Sequence, residues 1–141
     1  MEPLRFVVAP GVEPEPGCRE ALEAARSAMP DAALLAAVVP GDEAWPRILD
    51  KEEAIDACRH GLVALRAVQP GAMLVRGAPP RSLAETAALL AQGRGALVPG
   101  ARAVRRAGAP RPGSLARLRL LAAPHFTRDE RLWQLFRLLR R

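Results

Sequence analysis

Four short apolar runs divide this chain, and proline or glycine closes each one: Leu4 to Ala9, Ala32 to Val39, Ala72 to Val75 and Ala96 to Pro99. Runs this short, bounded by turn residues, fit buried strands better than helices. Helical spacing appears between them. Cys18, Ala21, Leu22, Ala25 and Met29 share one face, Ile55, Cys58, Leu62 and Leu65 a second, and Leu83, Ala87 and Leu90 a third. Asp50 with Glu53, Ser82 with Glu85, and Thr127 with Glu130 have the spacing of capping boxes.

Apolar runs without polar alternation suit strands covered on both faces, and alternation of strand with helix suits crossover connections. The expected fold is α/β, a doubly wound, mostly parallel, Rossmann-like sheet of about four to five strands with C-terminal helices. Residues 1–106 form the core domain, in which Ala101 to Arg106 extends the fourth strand or pairs with it. Residues 107–141 add a Pro-Gly loop and helices that end in a basic amphipathic helix.

The charge is uneven. Residues 1–60 hold 6 basic and 12 acidic side chains, whereas residues 61–141 hold 15 and 3. An acidic end and a basic end are expected, a field able to steer an anionic partner. Lys51 is the one lysine among the 21 basic residues, a usage typical of a GC-rich bacterial genome. Cys18 and Cys58 match no zinc or redox spacing and are expected to be small buried hydrophobes. No run approaches the roughly 18 apolar residues of a membrane span, and the first ten residues lack a secretory pattern, so a cytoplasmic location is expected.

In a doubly wound sheet, ligands sit beyond the carboxyl ends of the strands. That rule singles out Pro10, Gly11, Asp42, Arg76 and Gly77 as ligand-binding candidates. No catalytic set accompanies them. The first loop, PGVEPEPG, spaces its glycines too widely for a dinucleotide, and Glu13 and Glu15 would repel phosphate. Ser27, Ser82 and Ser114 lie in no nucleophile elbow. His60 and His125 are read without partners at ligand spacing, so neither a metal nor a cofactor is expected. The adjacent acids Asp42 and Glu43 are read as solvated loop residues rather than an acid–base pair.

The last helix carries a stripe of Leu132, Leu135, Phe136 and Leu139, with Trp133 at its edge and arginines over the remainder. Such a stripe either packs on the chain's own sheet or meets a partner protein, an anionic membrane surface or nucleic acid. Arg128, Arg131, Trp133, Phe136 and Arg137 are the interaction candidates.

Over residues 4 to about 106, the segments FVVAPGVEPEP, MPDAALLAAVV, CRHGLVAL, MLVRGAPPRSLAETAALL and GALVPGARAVRR follow one another in an order that resembles the nucleotide-binding half of family-2 glycosyltransferases. FVVAPGVEPEP resembles the opening strand and loop, MPDAALLAAVV the second helix–strand step, and CRHGLVAL the segment in which His60-Gly61 keeps a glycine. MLVRGAPPRSLAETAALL resembles the strand, metal motif and helix that follow, and GALVPGARAVRR the next strand. Arg76, Gly77 and Ala78 occupy the positions of the metal-holding Asp-x-Asp motif, so the resemblance implies a degenerate relative without that metal. Length and layout also suit the universal stress protein class.

The leading expectation is a non-catalytic interaction or accessory module, joined to a partner protein or to further copies through its C-terminal helix. A nucleotide-sugar-binding, glycosyltransferase-like enzyme is the first alternative. Nucleic-acid binding through Arg102, Arg105, Arg106, Arg111, Arg117 and Arg119 is the second.

Overall fold

A computed structural model describes residues 3–48, 51–106 and 113–140. Its elements in chain order are β1 (Leu4–Val8), β2 (Val12–Pro14), α1 (Cys18–Arg26), β3 (Ala32–Val38), β4 (Ala44–Pro46), α2 (Lys51–His60), β5 (Val63–Val68), β6 (Ala72–Arg76), α3 (Leu83–Gln92), β7 (Arg94–Arg105), α4 (Ser114–Leu121) and α5 (Arg128–Leu139).

The sheet corrects the expected topology. Seven strands form one mixed sheet in the order β1-β6-β3-β7-β5-β4, with β2 attached to β7. Only β3 and β7 run parallel; β1–β6, β3–β6, β2–β7, β5–β7 and β4–β5 are antiparallel. The premise of two-sided burial is nevertheless met. Along β6, Ala72 and Leu74 join a core cluster with Leu22 and Leu35, while Met73 and Val75 join another with Leu34 and Leu90. The helix α1 covers the first face and α3 the second. Helices on both faces demand apolar residues at every position whatever the strand direction, so apolar runs alone could not specify a parallel sheet.

The spacing of Ile55, Cys58, Leu62 and Leu65 predicts a helix that continues to Leu65, but Gly61 adopts φ 68° and ends α2, and Val63–Val68 is a strand. Leu65 is therefore buried from a strand, Leu62 is half-buried, and Ile55 and Cys58 face solvent. Only Cys18 is the buried thiol expected. Between β5 and β6 lie just three residues, 69–71, so no helix crosses there. At Gly95, β7 runs so close to β3 that a Cβ would sit 2.7 Å from the Leu34 carbonyl oxygen. The turn after Val98 is a bulge within β7, since Val98 pairs with Ala37 and Arg102 with Val38.

Of the three capping boxes, Thr127–Glu130 is complete. Ser82 accepts from the Glu85 backbone N–H, but the Glu85 carboxylate takes the Arg81 N–H instead of closing the box. Asp50 lies outside the described residues.

Candidate functional site

The strand-end candidates separate into two groups. Pro10, Gly11 and Asp42 lie near one end of the sheet. Arg76 and Gly77 lie at the other, because Leu4 pairs with Arg76 while Val8 pairs with Ala72. Gly11 and Gly77 adopt φ 80° and 89°, left-handed turns that favour glycine without any ligand. Arg76 donates to the carbonyls of Ala32 and Pro30. Pro10 borders a cleft of about 850 Å³ that also touches Pro80, Leu83, Arg105 and Leu120.

Asp42 and Glu43 are not solvated loop acids. Arg105 grips Asp42 in a two-point contact, Nε to Oδ1 at 3.0 Å and Nη2 to Oδ2 at 2.7 Å, and also donates to the Pro70 carbonyl at 2.7 Å. The bond to Asp42 raises the pKa of Arg105 against the effect of burial. Glu43 is buried; it accepts from Arg117 Nη1 at 2.9 Å and from Trp45 Nε1 at 3.1 Å. His60 has a carboxylate neighbour after all, Asp56 one helical turn earlier at 3.7 Å. Among the described residues no group of three or more His, Cys, Asp or Glu gathers in a metal-holding arrangement.

The C-terminal helical pair is fixed to the β4–β5 side of the sheet by two ion pairs of opposite polarity. From α4, Arg117 reaches Glu43, the residue before β4. From α5, Glu130 reaches the sheet's Arg66, with Nε 2.8 Å from Oε1 and 3.0 Å from Oε2. Glu130 also accepts from the Ile48 N–H at 2.8 Å and from the Thr127 N–H at 2.9 Å. Burial pushes its pKa up, but these donors outweigh burial and leave it below the usual carboxylate value. Phe126 and Leu121 pack with Trp45, Ala67, Leu83 and Ala87. His125 stacks edge-on to Phe126 at 4.5 Å, and its Nε2 has no hydrogen-bond partner among the described residues. Burial foremost, then the charge of Arg66, lowers its pKa.

This anchoring orients α5 in an unusual way. Glu130 and Gln134 are buried, and Leu138 packs against the core beside them. The apolar stripe faces outward: Leu132, Trp133, Leu135, Phe136 and Leu139 are 53%, 54%, 39%, 55% and 78% exposed. On α4, Leu115 and Leu118 are exposed as well. Full burial of one such side chain is worth roughly 1.5–3 kcal/mol. Five on one short helix are therefore a large driving force that the chain does not use within its own core. Of the other interaction candidates, Arg128 is exposed, whereas Arg131 and Arg137 are half-buried and donate to the Ala123 carbonyl and Gln134 Oε1. Sequence reading found the stripe. It missed Arg66, Glu43, Arg117 and Glu130 as anchors, although the capping box flagged Glu130.

The charge asymmetry is largely satisfied inside the molecule. Arg94–Asp31, Arg102–Glu15, Arg105–Asp42, Arg106–Glu13 and Arg117–Glu43 each join the basic half to the acidic half. Four of the arginines considered for nucleic acid thus face carboxylates; Arg119 is exposed, and Arg111 lies outside the described residues. Residues 1–106 hold 13 basic and 13 acidic side chains, while residues 107–141 hold 8 and 2. The whole net charge of +6 belongs to the C-terminal segment.

Compared with known proteins, the chain matches no protein-family profile, no curated protein and no solved structure. No helix among the described residues is long and apolar enough to cross a membrane.

Proposed function

We propose that this protein is a non-catalytic interaction module that joins another protein through the outward face of α5. One observation carries the reading: α5 buries Glu130 and Gln134 and turns Leu132, Trp133, Phe136 and Leu139 to solvent. Contiguous exposed apolar surface on a soluble fold marks interaction sites, and the spacing i, i+4, i+7 is that of helix-mediated recognition. The Glu130–Arg66 pair supports it further, because it holds the helix in this orientation without using its apolar stripe.

The test compares the wild-type chain with a Leu132→Glu, Phe136→Glu double variant in gel filtration of source-cell extract. The wild type is expected in an assembly well above its own 15.1 kDa, and the variant as a monomer with an unchanged thermal melt. A wild-type chain that elutes as a monomer, or a variant that still assembles, contradicts the proposal.

A further inference from the structure

Resting on that reading, we infer that the partner presents an acidic amphipathic helix to α5. Shape comes first. Leu132, Leu135, Phe136 and Leu139 follow the i, i+3, i+4, i+7 pattern, which forms a ridge about 10 Å long within the 12 residues of α5. A ridge of two turns, continued by Arg128 and Arg140 at its ends, suits a second helix laid along it.

Charge decides the chemistry of that helix. Arg128 stands at one end of the ridge and Arg140 at the other, its guanidinium 5.3 Å from the Phe136 ring centroid. Neither Arg128, Arg140 nor the exposed Arg119 of α4 makes an ion pair among the described residues, whereas Arg94, Arg102, Arg105 and Arg106 face carboxylates. The partner should carry Asp or Glu at both ends of an apolar stripe, about 12 residues apart, to meet Arg128 and Arg140.

A second copy of this chain is the poorer occupant. Pairing α5 with α5 would bring together two segments that each hold 8 basic and 2 acidic residues. An anionic bilayer is also poorer. Asp129 is exposed one turn before Leu132 and Trp133, so it would face lipid headgroups of its own sign. A partner helix can offer that carboxylate a lysine or arginine.

The experiment uses the full chain and two labelled helical peptides of about 16 residues. Both carry the same leucine stripe, one with glutamates and the other with lysines at its ends. Anisotropy measures binding, and emission of Trp133 against a Trp133→Phe control confirms the face. The glutamate peptide is expected to bind at least about tenfold tighter at low salt, with the gap closing at high salt. Arg128→Glu with Arg140→Glu should invert the preference. Equal binding of both peptides, binding of neither, or preference for lysine overturns the inference. So does partition onto phosphatidylserine vesicles, or self-association, in place of peptide binding. If the peptides bind equally but Phe136→Glu abolishes binding, the partner chemistry fails while the docking face survives. If Phe136→Glu changes nothing, the interaction reading fails with it.

Discussion

Arg66 and Glu130 meet across the junction between sheet and C-terminal helix, with Nε 2.8 Å from Oε1 and 3.0 Å from Oε2, and neither side chain is more than 16% exposed. Removing the guanidinium leaves a carboxylate buried with only two backbone donors. Arg66→Met should therefore cost about 3 kcal/mol in urea unfolding at neutral pH. Glu130→Gln should cost less, about 1–2 kcal/mol, because an amide oxygen still accepts from Thr127 or Ile48. Equal stability of all three proteins would mean that α5 is not held by this pair.

The two phenylalanines of the C-terminal segment should behave oppositely. Phe126 is 4% exposed and packs against Trp45 at 5.8 Å, so Phe126→Ala should lose about 3–5 kcal/mol. Phe136 is 55% exposed, and Phe136→Ser should stay within about 0.5 kcal/mol of the wild type. Chemical denaturation of both variants checks the pair. A large loss at position 136 would place the apolar stripe in the core.

Stability should fall in two steps on acidification. His125 has its pKa lowered by burial, so the unfolded chain, which titrates near 6.5, takes up a proton that the folded chain resists. Its contribution is complete above about 6.5 and is lost as pH falls below it. Glu130 also has a lowered pKa, so its contribution is complete above the unfolded value of 4.5 and is lost at lower pH. Thermal melts between pH 7 and 3 should show both declines, and His125→Gln should remove only the first. A melt temperature that stays flat from pH 7 to 5 in the wild type would contradict this account of His125.

The α/β class and several of its elements are legible in the chain, the strand directions are not, and both outcomes have physical causes. Leu4–Val8, Ala32–Val38 and Ala72–Arg76 announce themselves because each is apolar apart from Arg5 and the terminal Arg76, and each is followed by a turn. Val63–Val68 does not, because Leu62 and Leu65 continue the helical spacing of Ile55 and Cys58 past Gly61. That hidden strand, with the short β4, converts an expected crossover sheet into a mixed one. The candidate site divides similarly. The stripe on α5 is plain from periodicity, yet periodicity cannot say which way it faces. That is decided by Glu130, whose partners Arg66 and Ile48 lie 64 and 82 residues away. Asp42 and Glu43 looked solvated because their arginines, Arg105 and Arg117, stand 63 and 74 residues further along.

The central claim is that the outward face of α5 contacts another protein. Site-specific photocrosslinking in cells tests it most directly, with benzoylphenylalanine placed at Phe136 and, as a control, at the exposed Ala24 of α1. A discrete adduct of fixed mass from position 136, absent from position 24 and lost when Leu132→Glu is added, is the predicted result. No adduct from position 136, or the same adducts from both positions, would contradict the claim.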